Sequence, residues 1–350
     1  MGSAIPQGEL ADIVREARAR TGVPAVVAGL VRDGSAELVA DGPVEVDTPF
    51  RVASISKWFT ASLASACGAL DDETRRLLSH TAGLRQQRAE ALPEICRGLW
   101  SYSNAGYWAA GERCAAVTGM PFADAMRELV VGPLGLAATS YDQPREAAEG
   151  HVQDGATGHR PAGSPEYPVP GYAAGGLWST VGDLLSFAQH QFDDPYGIQV
   201  PQAGALGAEY CLGCWRRELA GGRIAFDHEG SVAGFQSLLL IVPAERLALA
   251  VLTNSWRGSG LIRRVVNGLG LVPAESTGGP IEDGSYALDG VTAEVRDGWI
   301  DEQETDPVTR AALRRKYRVS FDASLMSHRA DFPRPGVARI GWVAMPRVGA

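Results

Sequence analysis

The chain has 350 residues, of which 30 are Arg and only 2 Lys against 41 Asp+Glu, for a formal net charge of −9. That balance argues against a duplex nucleic-acid binder, which needs a cationic face against phosphates. The 45% apolar and 21% charged content is that of a folded protein, not a disordered one.

The N-terminus predicts an amphipathic helix from about Gln7 to Arg20, in place of the basic-then-apolar pattern of a secretory signal. No apolar run approaches the roughly 18–20 residues that span a bilayer, and the myristoylation pattern fails at Pro6. Five cysteines make no disulfide framework, so a reduced, cytoplasmic protein without a membrane partner is expected. Ala25–Val31 and Ser35–Ala40, around Arg32-Asp33-Gly34, predict a hairpin. A β-rich Phe50–Ala53 stretch gives way to a helical pattern at Thr60–Leu70, and residues from about 58 to 200 read as a mostly helical subdomain. Gly106–Thr118 followed by Pro121–Val131 is an example, with Gly and Pro as stop and start signals. The His151–Gly176 stretch, with Pro161, Pro165, Pro168 and Pro170, reads as a loop long enough to wall or cover a site.

Tyr210–Trp215 reads as a strand, which would send Cys211 and Cys214 to opposite faces. This C-x-x-C is therefore expected to be a packing pair, and no second pair completes a zinc site. A further hairpin runs Phe235–Val242, Pro243–Arg246, Leu247–Thr253, followed by a helix at about Gly260–Leu269 and a linker at Pro273–Pro280. Residues 281–350 carry strand-like runs (Gly290–Val295, Gly336–Ala344) and form a small β-rich appendage, in which Arg310–Arg318 is expected to be a solvated helix or turn. No internal repeat is present. Strands at both ends with helices inserted between them predict an α/β fold, a sheet with helices and a helical subdomain, ahead of the appendage over 281–350.

A chain that writes nearly every cation as Arg still keeps Lys57, in Ser54-Ile-Ser56-Lys57. Neither lysine follows a glycine, so no P-loop is present. If Ser54 opens a helix, the i, i+3 spacing places Ser54 and Lys57 on one face. A serine hydroxyl is a poor nucleophile until a base takes its proton. A lysine with a depressed pKa can be that base and an arginine cannot. Two other segments carry groups of the same kind. Tyr102-Ser103-Asn104, if extended, points a phenol and an amide the same way, and His228-Glu229-Gly230-Ser231 lies on a strand-like run. Each of these residues alone has a packing role as its simpler explanation. Ser56, His80 and Gly83 are expected to be structural, and His151, His159, His190 and His328 have no metal-ligand spacing.

In order and type, Ser54-x-x-Lys57, Tyr102-x-Asn104 and His228-x-Gly230 resemble the motifs of the penicillin-recognising serine enzymes, in the branch of class C β-lactamases, DD-peptidases, esterases, D-amino-acid amidases and transacylases. Leu77-Leu-Ser-His80-Thr-Ala-Gly83-Leu84, Ala174-Gly-Gly-Leu-Trp-Ser-Thr180, Gly230-Ser-Val-Ala-Gly-Phe-Gln-Ser237 and Leu252-Thr-Asn254 extend the likeness over about residues 8–272. The resemblance implies a β-lactamase/transpeptidase-like fold, an antiparallel sheet flanked by helices. It implies Ser54 as acylated nucleophile, Lys57 as base, Tyr102 as proton relay to the leaving group and Asn104 as ligand of the substrate carbonyl or amide. His228 would replace the third-motif cation and support Tyr102, and the backbone N–H groups of Ser54 and Ser231 would form the oxyanion hole. No metal or cofactor is called for.

Three features depart from the family pattern. Only about 20 residues separate Lys57 from Leu78, Glu229 replaces a small residue between His228 and Gly230, and the appendage resembles a reduced lipocalin-like module. A carboxylate at Glu229 would repel a penicillin-like acid or hold an amine. The expected activity is therefore acyl hydrolysis or transfer on a small-molecule ester or amide, as an esterase, amidase or natural-product transacylase, with water, an amine or an alcohol as acceptor. Hydrolysis of β-lactams or D-amino-acid peptides is the alternative, and a non-catalytic ligand sensor on the same fold is the reading from outside enzymology. No Ser has Gly at both −2 and +2, so the α/β-hydrolase elbow is absent. Oligomeric state is not encoded in any of these signals.

Overall fold

Alternation of side chains along the central strands gives the larger sheet two faces, each with its own core. A computed structural model describes residues 8–154, 158–163, 171–274, 280–305, 312–318, 330–340 and 342–348. In chain order the first half contains α1 (Glu9–Thr21), β1 (Val26–Arg32), β2 (Ser35–Asp41), β3 (Phe50–Arg51), α2 (Ser56–Ala66), α3 (Asp72–Leu78), α4 (Asn104–Thr118) and α5 (Phe122–Met126). Then come β4 (His151–Asp154), β5 (Gly158–Pro161), α6 (Tyr172–Gly175), β6 (Trp178–Ser179), α7 (Val181–His190), β7 (Ala203–Ala205), β8 (Ala208–Tyr210), β9 (Trp215–Leu219), β10 (Arg223–Val232), β11 (Phe235–Val242), β12 (Leu247–Thr253) and α8 (Gly258–Gly268).

An eight-stranded antiparallel sheet has the order β2-β1-β12-β11-β10-β9-β8-β7. The register pairs Val27 with Leu252 and Leu239 with Ala250. These residues face the helical core built on Trp58, Phe59, Tyr107 and Phe187. Their neighbours Val26, Leu238, Leu240 and Val251 face the opposite core, with Leu10 and Val14 of α1 and Leu261 and Val265 of α8. Each such buried aliphatic side chain contributes roughly 1.5–3 kcal/mol. The predicted hairpins β1–β2 and β11–β12 and the terminal helices are therefore present, and the sheet is flanked by helices on both faces.

Two local expectations change. The Tyr210–Trp215 run is not one strand: β8 ends at Tyr210 and β9 begins at Trp215. Gly213, at φ +82°, turns the chain between them so close to α2 that a Cβ would sit 2.6 Å from the Lys57 carbonyl. The turn brings Cys211 and Cys214 together, the Cys211 N–H donating to the Cys214 carbonyl at 2.8 Å. Both are buried and free. Second, Ala312–Arg318 is a strand, β16, not a helix or turn; Arg310 lies outside the described residues. β16 is the outer strand of its sheet, where charged residues discourage pairing with another chain. Of the Pro-rich loop, β4–β5 and α6 are described, while Pro165, Pro168 and Pro170 lie outside the described residues.

The C-terminal strands β13 (Gly284–Leu288), β14 (Val291–Arg296), β15 (Trp299–Thr305), β16 (Ala312–Arg318), β17 (Ala330–Arg334), β18 (Val337–Ile340) and β19 (Val343–Val348) form a second antiparallel sheet, ordered β16-β15-β14-β13-β19-β18-β17. Its core of Tyr286, Ile300, Val337, Ile340 and Met345 also takes in Leu92 and Cys96 from the segment between α3 and α4. Arg339 pairs with Asp331 at 2.5 Å and donates to the Gly204 carbonyl at 3.1 Å, while Asp331 accepts from the Leu206 N–H at 3.0 Å. Arg85 pairs with Asp289. The C-terminal sheet thus shares a core and a polar seam with the rest of the chain. Among the described residues no helix is long and apolar enough to cross a membrane.

Candidate active site

Ser54 lies in a short 3-10 turn, Ala53–Ile55, that runs directly into α2. Ala53 adopts φ +47°, a left-handed conformation that costs a non-glycine residue on the order of 1–3 kcal/mol. Neighbouring bonds hold the turn in place. Ser56 Oγ donates to the Ala53 carbonyl at 2.7 Å and accepts from the Leu177 N–H at 3.2 Å, and Ser237 Oγ donates to the Val52 carbonyl at 2.9 Å. The expected structural role of Ser56 is visible in these contacts.

Lys57 is 0% exposed. Its Nζ lies 3.1 Å from Ser54 Oγ and donates to the Ala174 carbonyl at 2.5 Å. Burial holds the amine well below the ordinary lysine pKa of 10.5, because taking a charge out of water disfavours the protonated form. Once deprotonated, an amine that donates one hydrogen to a carbonyl keeps its lone pair for the serine proton.

On the other side of Ser54, the Tyr102 hydroxyl donates to Oγ at 2.9 Å, and the tyrosine ring lies 4.8 Å from Lys57 Nζ. Tyr102 sits before α4 in a segment with no sheet partner, and its backbone donors are met one by one by distant groups. The Ser101 N–H donates to the His80 carbonyl (3.0 Å), Tyr102 N–H to the Trp342 carbonyl (2.8 Å), Ser103 N–H to His80 Nδ1 (3.0 Å) and Asn104 N–H to the Gln86 carbonyl (2.7 Å). Ser103 Oγ caps α4 through the Gly106 N–H at 3.0 Å. Asn104 opens that helix, half-buried, two residues from the tyrosine.

β10 supplies the third motif. Gly230 lies so near the Ser54 turn that a Cβ would stand 2.2 Å from the Val52 carbonyl and 2.1 Å from Ser237 Oγ. This close approach requires glycine. Ser231 follows at the exposed end of the strand, with Oγ accepting from Gln236 Nε2 at 2.8 Å. His228 is buried. Its Nδ1–H donates to the Glu229 carbonyl at 2.7 Å, which leaves Nε2 to accept from the Tyr210 hydroxyl at 3.1 Å. Burial first, then the Lys57 charge, press its pKa down to about 3, so the ring is neutral near neutral pH and does not supply the second cation that the sequence led us to expect.

Glu229 also departs from expectation. The strand register sets it opposite Leu238, on the face away from His228 and Leu239. Its carboxylate lies 4.0 Å from Arg217 Nη2, and Arg217 Nε donates to Asp227 at 2.6 Å within the buried interior.

Three further residues surround this centre. Tyr210 donates its hydroxyl to His228 Nε2. His80, taken from sequence as structural, has φ +60° and brackets Tyr102 through its carbonyl and its Nδ1, with ring centroids 4.3 Å apart. Its Nε2 has no hydrogen-bond partner among the described residues. Trp342, from the C-terminal sheet, lies 6.2 Å from the Tyr102 ring. The Ser-His80 segment was the only sequence signal for any of the three, since their contacts join positions far apart in the chain. No cluster of metal-ligating side chains occurs among the described residues.

The site thus sets the Ser54 hydroxyl between a buried amine and a phenol. A family model described as Beta-lactamase matches residues 73–266, more than half of the chain, and the chain belongs to the β-lactamase family. The match contains Tyr102, Asn104 and His228 and begins after Lys57. Among curated proteins the chain is 24% identical over 302 residues to a D-aminopeptidase of Cereibacter sphaeroides, covering 66% of this chain and 57% of that one; the alignment thus spans little more than half of that relative. Among solved structures, SurE superposes with a TM-score of 0.72 at 23% identity, covering 97% of this chain and 99% of its own. The D-amino acid amidase of Ochrobactrum anthropi SV3, complexed with L-phenylalanine amide, gives 0.63 at 23% identity, over 75% and 97%. At these identities the structural likeness speaks for the fold.

Proposed function

We propose that the protein is a serine acyl hydrolase or acyltransferase that forms an acyl-enzyme at Ser54 on a small-molecule ester or amide. One observation carries the reading: Ser54 Oγ stands 3.1 Å from a fully buried lysine amine and 2.9 Å from the Tyr102 hydroxyl. Lys57 takes the serine proton as Oγ attacks the carbonyl, and the N–H groups of Ser54 and Ser231 stabilise the oxyanion. One such donor is worth about 3–4 kcal/mol. Tyr102 passes the proton to the leaving group, and Asn104 holds the substrate carbonyl or amide. Water or an amine then resolves the ester. His228 acts as a neutral hydrogen-bonded support beside Tyr102.

The names of the relatives favour a D-configured acyl group: a D-aminopeptidase, a D-amino acid amidase, and a SurE structure with D-Leu. The free cysteines agree with a reduced, cytoplasmic setting. Treatment with a fluorophosphonate is expected to leave a mass adduct on Ser54 that is absent from Ser54→Ala, and D-amino-acid esters or amides are expected to be turned over. A wild-type protein with no adduct would be a ligand sensor instead. β-Lactam hydrolysis is the second reading, favoured by the family match. Glu229 no longer opposes it, since that carboxylate is turned toward Arg217. Turnover of a chromogenic cephalosporin would select it.

A further inference from the structure

The C-terminal sheet reaches Tyr102 through Trp342. Trp342 sits at the turn between β18 and β19. Its carbonyl accepts the Tyr102 N–H at 2.8 Å, and in β19 the Ala344 N–H donates to Ser101 Oγ at 3.2 Å, clasping the adjoining residue. The indole lies 6.2 Å from the Tyr102 ring and 5.8 Å from Trp215. Behind it, Trp100, Tyr210, Trp215 and Leu206 close the cluster and are buried, whereas Trp342 is only half-buried. It is the open rim of an otherwise sealed aromatic wall.

We propose that Trp342 determines specificity on the leaving-group side of the reaction, selecting large apolar or aromatic groups there. The proposal rests on the function argued above. In acylation the Ser54 Oγ–carbon bond forms, the bond from carbon to the leaving oxygen or nitrogen breaks, and the proton taken by Lys57 reaches that heteroatom through Tyr102. In the second half an incoming acceptor attacks the same carbon, gives up its proton along the reverse path, and Oγ departs. Leaving group and acceptor therefore occupy one subsite, next to the Tyr102 hydroxyl. The Trp342 ring lies 6.2 Å from that of the tyrosine, which places the C-terminal sheet as a wall of this subsite. An indole at a half-open rim favours apolar area and π-faces over water or small polar amines.

The test partitions one acyl-enzyme between acceptors. Ser54 is acylated with a 4-nitrophenyl ester of a D-amino acid in the presence of methylamine or 2-phenylethylamine, and the ratio of amide to acid product is measured. Because partitioning follows acylation, the donor's own leaving group does not enter it. Wild type should favour 2-phenylethylamine. Trp342→Ala should lower that ratio by about tenfold, the scale on which a hydrophobic subsite discriminates, with the methylamine ratio nearly unchanged, and Trp342→Phe should keep most of the preference. The rate of Ser54 labelling by a fluorophosphonate, whose fluoride is too small to use the subsite, reports whether each variant folds; if Trp342→Ala labels slowly, the comparison passes to Trp342→Phe and Trp342→Leu. Equal loss with both amines, an unchanged ratio, or a wild type with no preference would overturn the proposal. Absence of labelling in the wild type would instead overturn the acyl-enzyme reading itself.

Discussion

The two sides of Ser54 are built in different ways. On one side everything is local: Ser54, the proposed nucleophile, Lys57, its proposed base, and the supporting Ser56 lie within four consecutive residues, and one turn of helix sets their spacing. On the other side nothing is local. The Tyr102 segment hangs on His80, Gln86 and Trp342, groups 16 to 240 positions away in the numbering of the chain. Helix geometry guarantees the first arrangement once the helix forms, whereas the second exists only when the whole protein has assembled. Substitutions on the lysine side should therefore act through chemistry and those on the tyrosine side through geometry.

The largest effect belongs to the lysine side. Lys57→Arg keeps a cation but removes the base, since guanidinium does not give up its proton. It should lower kcat/KM by about 10²–10⁴-fold, the range for a positioned acid–base group. In the wild type the amine works only when deprotonated, so kcat/KM should rise with pH through a pKa held below 10.5 by burial and then level. Lys57→Arg retaining most of the activity, or a wild-type profile that falls across that range, would break the assignment of chemistry to this side.

On the tyrosine side His80 gives the sharper comparison because it offers two supports, a carbonyl to Ser101 and Nδ1 to Ser103. Its φ of +60° suits Gly and Asn better than most residues. His80→Gly relieves the backbone and loses the Nδ1 acceptor; His80→Asn keeps the tolerance and places an amide oxygen near the lost nitrogen. If position is what matters, His80→Gly should lower kcat by about tenfold, equivalent to the loss of one hydrogen bond of roughly 1–1.5 kcal/mol, with KM little changed, and His80→Asn should recover most of it. Equal activity of the two variants would mean that the side chain contributes only bulk.

The same contrast explains what could be read from the sequence. Ser54 and Lys57 were legible because a helix converts spacing into contact, and because one of only two lysines among thirty arginines needs a reason. The β1–β2 and β11–β12 hairpins were legible from continuous apolar runs and their turns. Tyr102, Asn104 and His228 emerged through the order of motifs, while Tyr210 and Trp342 carry no pattern: an aromatic residue in a strand or turn looks the same whether it meets solvent, core or catalyst. The Cys211–Cys214 turn was hidden because a positive φ at Gly213 is not distinguishable in sequence from a glycine within a strand. Glu229 was misplaced because an alternating strand has two faces, and only the register with Leu238 and Leu239 says which one meets the site.

The smallest expected effect separates function from stability on the lysine side. Lys57 is buried and its pKa is depressed by that burial, so between the folded and unfolded pKa values the unfolded chain binds a proton that the native state does not. By linkage, stability at this position rises with pH across that window and is lowest below it. Lys57→Met is of similar length, has no proton to lose, and should raise the melting temperature at pH 7 while abolishing turnover. The gain should be roughly 2–4 °C for each kcal/mol recovered, and it should shrink as the pH approaches 10.5, where the unfolded lysine also sheds its proton. Thermal melts of both proteins between pH 7 and 10 measure it. Parallel melting curves at every pH would mean that the folded amine keeps its proton, and the base beside Ser54 would then have to be sought on the tyrosine side.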